Sequence, residues 1–173
     1  MNIRLLTADD ALAYRTIRLE SLLTNPEAFS ASYEEESAYP IDRFSSRLSG
    51  EHSFTFGAFD RAELVGTVTL VCEQRAKLRH RAYIYAMYVT PLKRGQGIAK
   101  ALLERALQRA LEYGGIEQVH LTVAAGNAGA KRLYRSYGFE AYATEINALK
   151  LGESYYDEEF MVYFLDNRRD EYS

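Results

Sequence analysis

Between Tyr88 and Lys100 the chain reads Tyr-Val-Thr-Pro-Leu-Lys-Arg-Gly-Gln-Gly-Ile-Ala-Lys, with glycines at 95 and 97 and cations at 93, 94 and 100. A strand ends, Pro91 breaks it, and a glycine loop opens a long helix. Glycine has no Cβ, so successive backbone N–H groups can converge on an anion at the positive end of that helix. Lys93, Arg94 and Lys100 add positive charge around the same point. The chemistry on offer is phosphate binding, and three patterns compete for it. A P-loop requires Gly, four residues and then Gly-Lys-Ser/Thr, which this chain lacks. A dinucleotide fingerprint requires a third glycine where Lys100 stands, and an alternating βαβ context. A pyrophosphate cradle of the form Arg/Gln-x-x-Gly-x-Gly/Ala is satisfied by Arg94-Gly-Gln-Gly97-Ile-Ala99. The plain alternative is a glycine turn that only starts a helix.

The elements that must hold this loop can be read from periodicity and punctuation. Asn2–Leu6 alternates as a strand, and Thr7 offers an N-cap to a helix with Asp9 and Asp10 in its first turn. Leu12, Ile17, Leu19, Leu22 and Leu23 supply apolar faces to that helix, and Pro26 closes it. A second short helix is expected around Ile41–Leu48. Ser53–Phe59 and Glu63–Cys72 read as a hairpin, and Tyr83–Val89 as a further strand. Gly97–Tyr113 is helical, with Ile98, Leu102, Leu103, Ala106, Leu107, Ala110 and Leu111 at helical spacing and Gly114-Gly115 as a stop. Val119, Leu121 and Val123 alternate as a strand, Asn127–Tyr137 is helical, and Phe139–Leu149 and Tyr155–Leu165 are closing strands. This order makes a mixed α/β layer rather than a doubly wound fold. With 173 residues and no linker-like or repeated segment, residues 1–173 are expected to form one domain.

Composition narrows the class further. At 47% hydrophobic and 26% charged residues the chain is an ordinary globular protein. Cys72 is the lone cysteine, which excludes an intrachain disulfide and a multi-cysteine zinc site and is compatible with a reducing cytoplasm. No metal site is expected. No run approaches the roughly 18 apolar residues of a membrane span. The start, Met-Asn-Ile-Arg-Leu-Leu-Thr-Ala-Asp-Asp, lacks the apolar core of a signal peptide, so a cytoplasmic location is expected. The net charge of −3 is a sum of unlike parts. Residues 74–103 carry seven Lys/Arg and no acid, and residues 118–139 carry three and no acid. Overall acidity and the absence of a reader motif speak against nucleic acid as a partner.

A second motif follows the first. Leu121-Thr-Val-Ala-Ala-Gly-Asn127-Ala-Gly-Ala130-Lys-Arg-Leu133-Tyr134 leads to Tyr137-Gly138-Phe139. With the cradle before it, this pairing resembles the GNAT superfamily of acetyl-CoA-dependent N-acetyltransferases, and the element order fits that fold over nearly the whole chain. The resemblance implies a central, mostly antiparallel sheet with two splayed parallel strands and helices on both faces. It places the cofactor where the strands ending at Val89 and near Ala124 part. Backbone of Met87 and Val89 is then expected to bond the pantetheine arm. Amides of Gly95, Gln96, Gly97, Ile98, Ala99 and Lys100 are expected to bond the pyrophosphate, with Arg94 in the first motif position. Asn127 is expected on the pantetheine arm, a role compatible with capping its helix. Lys131 or Arg132 is expected to reach the ADP phosphates. Tyr134 matches the tyrosine that donates a proton to the departing thiolate, a task suited to a phenol with an ordinary pKa of about 10.

The base that relieves the attacking amine of its proton is left open among Glu34–Glu35–Glu36, Tyr83, Tyr85, Asp157, Glu158 and Glu159. His52, His80 and His120 read as structural or surface groups, with His120 the hardest to dismiss. The resemblance implies an acceptor held by Leu23–Tyr39 and Lys150–Asp157. Their acids and aromatics suit a cationic primary amine, whether a small amine, an amino acid or a peptide N-terminus. The competing expectation is a non-catalytic acyl-CoA-binding or regulatory module on the same fold. Homodimers occur in the superfamily, but no sequence feature establishes one.

Overall fold

A computed structural model of the chain describes residues 1–165. One seven-stranded sheet runs through them in the order β1-β2-β3-β4-β5-β7-β6. Its strands are β1 (Asn2–Leu5), β2 (Ser53–Asp60), β3 (Glu63–Cys72), β4 (Arg81–Val89), β5 (Gln118–Ala124), β6 (Glu140–Leu151) and β7 (Ser154–Phe164). All neighbours are antiparallel except β4 and β5, which run parallel. A parallel pair needs a crossover, and helix α4 (Ile98–Tyr113) supplies it. The other helices are α1 (Ala11–Thr24), α2 (Tyr33–Ser37), α3 (Ile41–Arg47) and α5 (Ala128–Ser136). The fold is therefore a mixed α/β sheet flanked by helices.

Two apolar cores form, because adjacent strand residues point to opposite faces. On one face Phe56, Ala58, Val68, Leu70, Ile84, Val89 and Leu121 pack beneath Ile98, Leu102, Leu103 and Ala106 of α4, with Tyr134 of α5. On the other face Leu6, Phe59 and Tyr88 pack with Ala11, Tyr14 and Ile17 of α1 and Phe44 of α3. A Cβ at Gly66 would stand 3.0 Å from Leu102 Cδ1 and 3.2 Å from Ile98 Cγ2, so this glycine lets α4 lie close on β3. Cys72 is buried, and burial pushes its thiol up to about 11.

The parting of β4 and β5 is visible in the register. They pair only from Arg81↔Gln118 to Ile84↔Leu121, and among the described residues no strand pairs with Tyr85–Val89 on that side. The cause lies in β4 itself. Thr67 pairs with Tyr88 and Thr69 with Tyr85, so Ala86 and Met87 together face Val68. Ala86 takes a left-handed φ of 52°, which a non-glycine residue rarely adopts. Such a bulge twists a strand away from its neighbour.

Some boundaries and faces differ from the sequence reading. Thr7 caps a single 3-10 turn at Ala8–Asp10, and the α-helix begins at Ala11. Leu12 and Leu23 are 71% and 60% exposed, because the buried stripe of α1 runs through Ala11, Tyr14, Ile17, Ser21 and Leu22. Leu111, read as a core position of α4, is 56% exposed. Helix α2 was not anticipated, although its capping box is explicit: Ser32 Oγ accepts from Glu35 N at 3.2 Å and Glu35 Oε2 from Ser32 N at 3.1 Å.

Candidate active site

The cradle is built by backbone conformation. Gly95 and Gly97 have φ of 76° and 79°, and a Cβ on either would meet nothing within 4 Å. Glycine is therefore required by the left-handed backbone rather than by crowding. Gly97 is the N-cap of α4 and provides no side-chain cap; the helix's bonding starts with Ala101 N donating to Gly97 O at 3.0 Å. The amides before Ala101 lack acceptors within the helix and sit at its positive end.

These amides face a cleft of about 1310 Å³ that enters the gap between β4 and β5. Of the expected cofactor residues, Met87, Val89, Arg94, Gly95, Gly97, Ile98, Ala99, Lys100, Asn127 and Arg132 line it. Gln96 and Lys131 do not. Lys131 Nζ instead donates to Glu159 Oε1 at 3.1 Å, clamping α5 to β7, so Arg132 is the cation of that pair turned to the cleft. Asn127 caps α5 by accepting from Ala130 N at 3.1 Å through Oδ1, which leaves its amide NH₂ available as a donor.

Tyr134 lies beneath the cleft wall. It is 6% exposed and its ring packs against Phe139 at a centroid distance of 5.8 Å, while Ala130 and Leu133 of the same helix line the cleft. Burial raises its hydroxyl to about 12, which keeps it protonated across the physiological range.

The far end of the cleft is made by side chains from two distant segments. Asn25, Glu27, Ala28 and Phe29 come from the 3-10 turn after α1, and Asn147, Tyr155, Tyr156 and Asp157 from the β6–β7 hairpin. Asp157 Oδ1 accepts from Asn147 N at 2.8 Å, and Asp157 O accepts from Ala125 N at 2.9 Å, which ties the hairpin to the end of β5. Asn147 was not anticipated. It has φ of 54° in an irregular part of β6, and asparagine's tolerance of that conformation is the signal that could have marked it.

Most base candidates are engaged elsewhere. Glu36 is 2% exposed and holds both Arg18 and Arg47. Burial pushes its carboxyl up, but the two guanidiniums outweigh that and hold it below the ordinary range. Glu34 is exposed, and Glu35 caps its own helix. Tyr83 and Tyr85 stack on each other, and neither they nor Glu158 and Glu159 line the large cleft. Burial, and then the facing Glu145, raise Glu158. His120 packs between Tyr83 and Tyr142, and its pKa is lowered by burial and then by Arg81 and His80. Of the carboxylates among those base candidates, only Asp157 lines the cleft.

Comparison with known proteins agrees with this geometry. The profile of the Acetyltransferase (GNAT) family matches residues 16–139. The chain belongs to this family. The L-amino acid N-acetyltransferase AaaT of Escherichia coli K12 is 31% identical over 101 residues, covering 58% of this chain and 61% of AaaT. A mycothiol acetyltransferase of Brachybacterium faecium is 37% identical over 83 residues, covering 48% of this chain and 25% of that protein. The matched stretches thus span from a quarter to about three fifths of these two relatives. A probable acetyltransferase from Staphylococcus epidermidis superposes with a TM-score of 0.77 at 30% identity, over 95% of this GNAT chain and 99% of that one. The structure of yncA from Salmonella typhimurium with its cofactor acetyl-CoA has the same fold, with a TM-score of 0.79 at 20% identity over 96% and 94% of the two chains.

Proposed function

We propose that this GNAT protein transfers an acetyl group from acetyl-CoA to a primary amine, with both bound together. One observation carries the reading: a single cleft joins an uncapped, glycine-built helix N-terminus to a wall of acid and aromatic side chains. The first end suits a pyrophosphate and the second suits an amine. AaaT's activity on L-amino acids adds support for an amino nitrogen as acceptor.

Acetyl-CoA supplies a thioester carbon, at which a C–N bond forms as the C–S bond breaks, one proton leaving nitrogen and one reaching sulfur. The chain's own groups divide the rest of the work. Amides of Gly95–Lys100, with Lys100 and Arg132, hold the phosphates. The unpaired edge of β4 at Met87 and Val89 and the free NH₂ of Asn127 hold the pantetheine arm. Tyr134, beneath the wall formed by Ala130 and Leu133, would offer its neutral phenol to the sulfur. Held at about 12, well above an ordinary thiol at about 8.5, it serves first as a hydrogen-bond donor to developing thiolate charge. Asp157 pairs with the acceptor's ammonium and passes one of its protons to solvent, which frees the nitrogen lone pair for attack, while Phe29, Tyr155 and Tyr156 offer ring faces to the cation.

The test is thiol release from acetyl-CoA across a panel of small amines, amino acids and peptides, with the product's mass measured. A product heavier by one acetyl group on nitrogen is the expected result. Binding of acetyl-CoA with no turnover on any acceptor would favour a regulatory module, and acetylation of alcohols alone would overturn the amine assignment.

A further inference from the structure

Arg94 occupies the first position of the cradle motif, yet its side chain is directed along the cleft wall. Its Nε donates to Val89 O at 2.9 Å and its Nη2 to Asn25 Oδ1 at 2.7 Å, with the guanidinium 5.6 Å from the centroid of the Tyr88 ring. Asn25 directly precedes the turn that carries Glu27 and Phe29 into the cleft. Gly95, the first cradle glycine, directly follows Arg94. One planar side chain therefore bridges the two ends of the site.

A second set of bonds fixes the same join. Glu20 of α1 accepts from the Tyr88 hydroxyl at 2.8 Å and from Thr90 Oγ1 at 2.5 Å. The end of α1 and the end of β4 are thus locked, and Arg94 continues the lock into the segments on either side, the cradle loop and the Asn25–Phe29 turn. Arginine's donors lie in a rigid fork, so bonds to Val89 and Asn25 can be held at once in this geometry; lysine would bring charge without the fork.

We propose that Arg94 is a positioning residue that couples occupancy of the anion cradle to the placement of the acceptor-side turn, Asn25–Phe29. The proposal rests on the acetyl-CoA reading above. An anion seated on the Gly95–Lys100 amides fixes the backbone on one side of Arg94, and the guanidinium passes that order to Asn25. By reciprocity, order imposed on the turn tightens the cradle.

Amide hydrogen exchange tests this without knowledge of the acceptor. Acetyl-CoA is added to wild type, Asn25→Ala and Arg94→Lys. In wild type, exchange is expected to slow both at 94–100 and at 23–29, the second by roughly fivefold or more, the lower range of typical site-to-site coupling. In Asn25→Ala, which leaves the cradle motif untouched, 94–100 is still protected, and in both variants the effect at 23–29 disappears at saturating acetyl-CoA. Failure of lysine to restore it distinguishes a fork from a point charge. Protection of 94–100 alone in wild type, or undiminished protection of 23–29 in either variant, overturns the coupling while leaving acetyl-CoA binding intact. No protection of the cradle in wild type removes the acetyl-CoA reading and the coupling with it.

Discussion

The two ends of the cleft use different materials. The donor end is contiguous in sequence and built mainly from main chain: two left-handed glycines, the uncapped start of α4 and the open edge of β4. The acceptor end is assembled from the turn after α1 and the β6–β7 hairpin, and it works through side chains. Backbone amides read what every bound donor would share, a phosphate group. Side chains read what differs between acceptors. A short motif can encode the first arrangement, whereas the second depends on how distant loops meet.

The largest expected effect lies where the two ends meet. Tyr134→Phe should lower turnover by roughly 10²–10³, the cost of losing one donor to developing negative charge, while leaving acetyl-CoA affinity intact, measured by steady-state kinetics and calorimetry. An unchanged rate would remove Tyr134 from the chemistry. The same variant has a pH signature. Folding raises this phenol from its ordinary 10 to about 12. The folded state therefore binds the proton more tightly, so the stability gained is full below pH 10 and is lost as pH rises toward 12. Across that window wild type should lose about 2–3 kcal/mol more stability than Tyr134→Phe, as followed by denaturant titration.

The acceptor end also depends on a buried charge that never touches the cleft. Glu36 of α2 accepts from Arg18 of α1 and Arg47 of α3, and so clamps the helices behind the Asn25–Phe29 turn. Glu36→Ala leaves two guanidiniums without their carboxylate and should cost about 3–5 kcal/mol of stability. Denaturant midpoints would show this. A loss below about 1 kcal/mol, the range of exposed pairs, would mean that the clamp is solvated.

A third comparison isolates the acceptor side. Asp157→Asn removes the charge but keeps the shape, and should raise the acceptor's KM by about 10- to 100-fold, the worth of a hydrogen bond to a charged group. Acetyl-CoA affinity should not move. A parallel loss in acetyl-CoA affinity would place Asp157 at the donor end.

What could be read from sequence follows the same division. The cradle glycines, the α4 stripe of Ile98, Leu102, Leu103 and Ala106, and the Asn127 cap are local, because spacing along one element decides them. The bulge at Ala86 and the partnering of Lys131 with Glu159 are not local. Ala86 carries no turn signature, and Lys131 and Arg132 look equivalent until α5 is laid against β7. Likewise the Glu34–Glu35–Glu36 run looks uniform, yet its members separate into one exposed residue, one cap and one buried ligand of two arginines. Charge in sequence marks a neighbourhood, and packing then assigns each charge its partner.

That assignment yields the smallest but most discriminating effect. The basic window around the cradle contains Lys93 and Lys100, and both line the cleft. Lys93 Nζ, however, lies 2.6 Å from Asp60 Oδ2, so its charge is already answered. Lys100, in the first turn of α4, has no such partner among the described residues. Lys100→Ala should weaken acetyl-CoA binding by about three- to fivefold at low salt, and the difference from wild type should shrink as salt rises. Lys93→Ala alone would leave Asp60 unpaired beside an anion and confuse two effects. The double variant Lys93→Ala/Asp60→Asn removes the pair without changing net charge, and should bind acetyl-CoA as wild type does over the same salt range. If the double variant instead follows Lys100→Ala, Lys93 reaches the phosphates in the bound state. The donor end would then rely on side-chain charge more than its backbone geometry implies.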